Sequence, residues 1–479
     1  MTLPTSGPLT FTDIQTEFGG SNPIGLNEYY AGGTYVPAGT TGTYGAVPTS
    51  GQISVQNFYG TSDFIPVGWL GVLNSTGSLA TFGRGVAVDS SDNVYAEGSS
   101  NITGNSVAFT AKYDSSGAIQ WQRRLGGSFS EQGNAIAIDS SSNVYLAGST
   151  FGGSDHQSLV AKYNSSGAIQ WQRTLSSSGQ DFARGVAVDS SSNVYVCTES
   201  NSGNEDFIIA KYNSSGTIQW QRSLGGGASE YVTSIAVDSS ANVYVFGISG
   251  ASGSLDFQLA KYNSSGTIQW QRRLGDSGSQ LGYGVATDGS GNVYVGGTST
   301  ISGVVGCQIA KYNSSGTIQW QRRLAAASST AFNAISADSS GNVYVAGTMS
   351  IGGNNNYLIA KYDTSGTIQW QRSLGDAYGN QGYGITVSSS NKVYVIGRTF
   401  NSAGQENTLI AKLPDDGTPT GTYTVGSNSY TYAATSLTDS VSSLTDAASS
   451  LTDATSSFTD ASVSLTEQAF NLTSTVTPI

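Results

Sequence analysis

The chain has 479 residues, 37% hydrophobic and only 11% charged, with 62 Gly, 2 Cys, 1 His and a formal net charge of −12. So little charge with so much glycine argues against a helical enzyme, and 26 Tyr, 16 Phe and 7 Trp argue against disorder. The cysteine count excludes a disulfide scaffold, the lone histidine removes the common zinc sites and most His-based catalysis, and an acidic chain makes a poor nucleic-acid partner.

The charge is unevenly placed. Residues 1–63 and 413–479 contain no Lys or Arg, and their acids (Asp13, Glu17, Glu28 and Asp63; Asp415, Asp416, Asp439, Asp446, Asp453, Asp460 and Glu467) account for −11 of the −12. The middle is nearly neutral. Three parts follow: a head, 1–63; a body, 64–425; and a C-terminal extension, 426–479. No stretch approaches 18 apolar residues, so no membrane span is expected, and the N-terminus lacks the basic and apolar regions of a signal peptide.

In the head, "TFTDIQTEFGG" carries Thr12 with Gln15 three residues on, a capping-box pattern closed by a glycine stop, and "SNPIGLNEYYAGG" reads as a second short helix. "QISVQNFYG" is a last short element. Sixty residues without cations or cysteines make a thin core, so stability is expected to come from docking to a partner. The string "GPLTFTDIQTEFGGSNPIGLNEYYAGGTYVPAGT…VPTSGQISVQNFYG" resembles an N-terminal module of tailed-phage virion proteins, especially in phages of cyanobacteria and marine bacteria. The resemblance implies a segment that anchors the chain to other virion proteins, cytoplasmic assembly in the host, and exposure on the particle.

The body is a repeat. Trp69, Trp121, Trp171, Trp220, Trp270, Trp320 and Trp370 recur about every 50 residues, each in a unit of four short β runs typified by "GVAVD", "NVYVAG", "FIIAKYN" and "TIQWQRSL". "DSSxN" turns led by Asp89, Asp139, Asp189, Asp238, Asp288 and Asp338 join the first two runs, and "NSSGT"-type hairpins join the last two. The "DSSGN" turns offer one carboxylate each where a calcium loop needs several, so the turn reading is preferred. Four strands per 50 residues mark a β-propeller blade, and the expected fold is all-β. "AKY" or "AKL" and "NVY" or "KVY" each occur seven times, whereas after Leu413 the seventh unit lacks its fourth run. Seven blades are expected, with the Trp69 strand completing the last. "GVAVDSSSNVYV…IIAKYNSSGTIQWQRSLG" resembles the SBBP-type propeller repeat over residues 66–413.

The seven tryptophans read as inter-blade packing. Lys112, Lys162, Lys211, Lys261, Lys311, Lys361 and Lys412 share a rim with the repeated Asp and are expected to pair there. That rim is monotonous, whereas the opposite rim ("STFGGSDHQS", "SSSGQDFAR", "GDAYGNQGY") differs in every blade. The variable rim is the candidate receptor contact, with Phe129, His156, Phe182, Tyr231, Tyr283, Phe332 and Tyr383 as its exposed side chains, suited to a host glycan or protein. No carboxylate pair, nucleophile elbow or metal cluster recurs, so no catalytic or metal-binding residue and no cofactor is assigned, and the chain is expected not to be an enzyme. Cys197 and Cys307 read as buried thiols.

The extension repeats every seven residues ("SLTDSVS", "SLTDAAS", "SLTDATS", "SFTDASV"), with Leu437, Leu444, Leu451, Phe458, Leu465 and Leu472 as one apolar position and Val441, Ala448, Thr455, Ser462 and Ala469 four later. These spacings match a coiled-coil seam and a trimeric helical stalk through 430–479, although Ser and Thr dominate and leave a flexible or partner-bound tail open. The whole reads as a virion structural protein: a tail fibre, spike or capsid-surface adhesin. The alternatives are a decoration or baseplate protein without receptor binding and a polysaccharide-degrading tailspike enzyme.

Overall fold

Short apolar runs punctuated by Asx and glycine turns leave little room for helices, and every regular element among the described residues is a strand. A computed structural model describes residues 41–42, 45–46, 68–74, most of 80–448 and, beyond these, the strand backbones at 452–454, 459–462, 466–469 and 473–478. The chain divides into two compact units, Met1–Val67 and Gly68–Ile479. In the first, Thr41–Gly42 pairs with Gly45–Ala46; the two short helices and the last element expected in the head lie outside the described residues.

The second unit is a seven-bladed β-propeller. Blade one is formed by Thr81–Val88, Val94–Ile102, Asn105–Tyr113 and Ile119–Gly126, hydrogen-bonded in that order, and the pattern recurs every 49 or 50 residues. The first strand of each blade lines a central cavity. The second and third strands are apolar on both faces because a neighbouring blade covers each, and Val94, Tyr95 and Ala96 are all fully buried. The seventh sheet takes Asn380–Val387, Val393–Phe400 and Glu406–Leu413 from the end of the body and Trp69–Asn74 from its beginning. Blade seven meets blade one through Lys412 Nζ donating to the Ser115 carbonyl (3.0 Å) and the Thr408 amide donating to Thr81 Oγ1 (3.0 Å).

The turns of the monotonous rim are closed by their own leading side chains. Asp89 Oδ1 accepts from the amides of Ser91 and Asn93, and Oδ2 accepts from Asn93 Nδ2 and the buried Tyr95 hydroxyl. The carboxylate is therefore consumed by its own turn, and the expected pairing of the repeated lysines with it is corrected. Lys211 Nζ instead donates to the Ser264 carbonyl of the next blade (3.1 Å) and lies 5.1 Å from the centre of the Tyr195 ring. Trp220 and Arg222 reach the same hairpin: Trp220 Nε1 donates to Ser264 O (3.1 Å) and Arg222 Nε to Gly266 O (2.7 Å). The indole lies flat over Gly266, whose φ of +75° and missing Cβ the contact requires, since a Cβ there would stand 2.8 Å from the ring. The same clamp joins Trp121 to Gly167, Trp171 to Gly216, Trp270 to Gly316, Trp320 to Gly366 and Trp370 to Gly417.

The C-terminal extension corrects the expected helical stalk, because its regular elements are strands. Asn428–Ala434 pairs with the fourth strand of blade six, Thr438–Val441 with blade five, Thr445–Ala448 with four, Thr452–Ala454 with three, Thr459–Ser462 with two, Thr466–Ala469 with one, and Thr473–Pro478 with the Trp69 strand of seven. The tail is a belt that runs backwards around the ring and adds a fifth strand to each sheet. Seven residues, fully extended, reach at most about 23 Å, which bounds the step from one outer edge to the next. Register is uniform: Asp439, Asp446, Asp453 and Asp460 stand opposite Leu324, Leu274, Leu224 and Leu175. Leu437 and Leu444 are buried in successive inter-blade cores, and Gln371 and Gln321 donate through Nε2 to their carbonyls (2.9 and 2.8 Å). At these two positions one apolar residue per seven serves one inter-blade core, and Ser and Thr suit an edge strand better than a helix.

Two outcomes follow. Gly266→Ala should lower stability by on the order of 1–2 kcal/mol from the left-handed φ alone, with a further loss from the displaced indole, read as a fall in Tm and in Trp fluorescence anisotropy. Deleting residues 436–479 bares the outer edges of six blades; the remaining ring should keep its β-type circular dichroism and self-associate in light scattering, and a monodisperse monomer would contradict the capping role.

Candidate functional site

The first strand of every blade carries a β-bulge that aims one side chain at the axis. In blade one the register shifts between Gly83 and Gly85, leaving Arg84 as the extra residue. The corresponding residues are Asn134, Arg184, Thr233, Tyr283, Asn333 and Tyr383. All seven line a central funnel of about 240 Å³. In six blades the glycine of "NVYVAG" lies close against the first strand: a Cβ on Gly98 would lie 2.0 Å from the Phe82 carbonyl, and one on Gly247 2.0 Å from that of Tyr231. Blade three has Thr198 at this position. Just beyond the bulge, Val86, Ile136, Val186, Ile235, Ile335 and Ile385 also line the funnel, an apolar ring beneath a polar one.

Charge is gathered on one side. Arg84 lies over the Phe82 ring (4.9 Å to its centre) and donates through Nη1 to Asn134 Oδ1, whose Nδ2 donates to the Ala183 carbonyl (2.9 Å). Arg184 lies over Phe182 (5.1 Å) and pairs with Glu199 (2.7 Å). In blade seven, Arg398 pairs with Glu406 (2.9 Å) and lies 5.7 Å from the centre of Phe82, whose ring packs against Tyr383 (4.8 Å). Blades four to six contribute the uncharged Thr233, Tyr283 and Asn333. Burial lowers the pKa of the Arg84 guanidinium and raises those of the Tyr283 and Tyr383 phenols. Behind the Arg84 wall, Glu97 is 0% exposed, both carboxyl oxygens lack a hydrogen-bond partner, and burial pushes its pKa well above the usual range.

An aromatic row leads into the funnel. Phe129, 47% exposed, packs edge-on to Phe151 (5.6 Å between centres), Phe151 to His156 (5.3 Å), and His156 to Phe182 (5.0 Å), beside Arg184. Of the expected rim residues, Phe129, His156 and Phe182 stand together in this row, Tyr283 and Tyr383 line the funnel, and Tyr231 packs partly buried at the blade-four core. Phe332 is corrected: it sits one position before the bulge, where Gly83, Gly133, Gly282 and Gly382 stand in other blades, and turns into the core at 1% exposure. Arg84, Asn134, Arg184, Thr233 and Asn333 were not among the expected residues. Their signal is the changing letter directly before the five-residue run typified by "GVAVD".

A shallower groove of about 590 Å³ lies between Trp171 and the Ser214–Ser215 turn. It is the inter-blade clamp itself, with Trp171 Nε1 and Lys162 Nζ both donating to Ser214 O. The central funnel, whose polar groups converge and differ from blade to blade, is the better candidate. Cys197 and Cys307 are buried free thiols, and burial pushes the Cys197 pKa up to about 12.

Residues 120–153, 170–204 and 269–303 match the family described as "Beta-propeller repeat", SBBP. No curated protein matches the chain. Among solved structures, the polysaccharide lyase Uly1 is similar at 11% identity and a TM-score of 0.48, over 70% of this chain and 90% of that one. The NanB sialidase from Streptococcus pneumoniae is similar at 12% identity and a TM-score of 0.38, over 70% and 68%. Sqt1 from Chaetomium thermophilum, bound to the N-terminus of ribosomal protein L10, is similar at 12% identity and a TM-score of 0.41, over 70% and 98%. These likenesses speak for the fold. They also correct the expectation that the chain is not an enzyme, since a polysaccharide lyase and a sialidase are among the similar structures.

Glu97 gives a signed pH effect. Its folded pKa lies above its usual value of about 4.5, so its contribution is most favourable below that value and worsens as pH rises through the folded pKa. Glu97→Gln removes the titration. Relative to the native chain, its stability should rise by at most about 1.4 kcal/mol per pH unit above pH 4.5, measured by thermal melts from pH 4 to 9.

Proposed function

We propose that the propeller is the receptor-binding part of a virion protein, with residues 1–63 fixing it to the particle and the variable rim holding a host-surface polymer along the aromatic row and in the funnel. The observation that carries this reading is the confinement of difference: a scaffold copied seven times changes its side chains at the one rim where the funnel opens. Phe129, Phe151, His156 and Phe182 offer flat apolar faces at low entropic cost, and the funnel residues offer hydrogen bonds to hydroxyl-rich ligands. A second reading, cleavage of the bound polymer, draws on Glu97, a buried carboxyl group behind the Arg84 wall whose pKa burial raises.

Fluorescently labelled protein should bind host cells, and the double variant Phe129→Ala, Phe182→Ala should bind at least tenfold more weakly with an unchanged melt. A variant altered only on the monotonous rim, at Ser165 and Ser215, should bind as the native chain does. Equal binding by the Phe variant sinks the rim reading, and shortening of host polysaccharide during the incubation favours cleavage.

A further inference from the structure

Two arginines, Arg84 and Arg184, line the funnel, Arg398 stands near the Phe82 ring that Arg84 covers, and the three are not equivalent. Arg184 has Glu199 and Arg398 has Glu406 as ion-pair partners. Among the described residues no carboxylate lies within 4.0 Å of the Arg84 guanidinium. Its protein contacts are the Asn134 amide oxygen and the face of Phe82, and its Nε has no partner. A guanidinium has five donors in a fixed fork, so most of the Arg84 donors have no protein acceptor.

We propose that Arg84 is an anion subsite in the polar ring of the funnel, which receives the carboxylate or sulfate group of an acidic sugar whose neighbouring units lie along the aromatic row. The inference rests on the receptor-binding reading and names its ligand class. Three arrangements support it. Asn134 is held by the Ala183 carbonyl at 2.9 Å and in turn holds the guanidinium, so the cation is positioned before any ligand arrives. Phe82 covers one face of the fork and directs donation into its plane. The opposite arc, Thr233, Tyr283 and Asn333, carries hydroxyl and amide groups that fit the uncharged edge of a sugar ring. Behind this wall, both carboxyl oxygens of Glu97 lack a hydrogen-bond partner, and burial raises the pKa of the group.

The test titrates the full chain with three oligosaccharides of equal length: an oligogalacturonate carrying carboxylates, a sulfated dextran fragment and neutral maltohexaose. The native protein should bind at least one acidic oligosaccharide more tightly than the neutral one, and which acid it prefers separates carboxylate from sulfate. Arg84→Gln should weaken that binding about 10- to 100-fold, the loss of one charge-assisted pair, and weaken maltohexaose binding by a smaller factor. Arg84→Lys keeps the charge without the fork and should fall between; it decides the matter if the Gln variant melts early. Equal affinity for neutral and acidic probes, or no loss in either variant, overturns the anion subsite. Native protein that attaches to host cells with Arg84→Gln attaching equally well overturns the subsite alone, whereas failure of the native protein to attach removes the receptor reading beneath it.

Discussion

Everything in this propeller depends on one clamp between consecutive blades. An isolated four-stranded blade has two apolar faces and two open edges, and it buries the faces only against its neighbours. The fourth strand reaches across with three donors, from Trp, Arg and the adjoining Lys, and all three end on the carbonyls of one hairpin in the next blade. Each such bond nets about 0.5–1.5 kcal/mol, and the arrangement is cooperative because the indole fits only where the hairpin glycine takes a positive φ. This is why "NSSG" and "QWQR" recur nearly unchanged: the two strings are the halves of one contact, made between different blades.

The clamp also frees the other end of the blade. With the outer strand held from behind and the Asx turns satisfied by their own side chains, the first strand can carry a bulge in every copy without loss of register farther out. The bulge releases one side chain from ladder duty. Seven such positions converge on one axis, so a site with several chemistries is assembled from a structure that is otherwise repetition.

The sequence displayed the scaffold plainly, because a 50-residue period, Asx turns and four short runs admit few folds. It concealed what depends on the third dimension. The bulge residues sit in a string that reads as ordinary strand, and only their variation against constant neighbours marks them. Phe332 looked like its aromatic counterparts, but one place of shift within a period of two turns a residue from the axis into the core. The repeated lysines and aspartates share a rim, yet each is satisfied by nearer backbone groups. The extension was misread because a seven-residue period has two physical meanings. Two helical turns repeat every seven residues, and so does a strand that steps once per blade around a ring.

That second meaning ties two repeat numbers together. The 50-residue unit and the seven-residue unit belong to the same circle, so neither can be duplicated alone. A gene that gained an eighth blade would present an outer edge with no strand to meet it, and a tail that gained a heptad would shift every later Asp away from its Leu. The belt runs opposite to the order of the blades along the chain and reaches the Trp69 strand of the seventh sheet last. That edge exists only where the ring has closed, so the tail acts as a tally of the blades it passes.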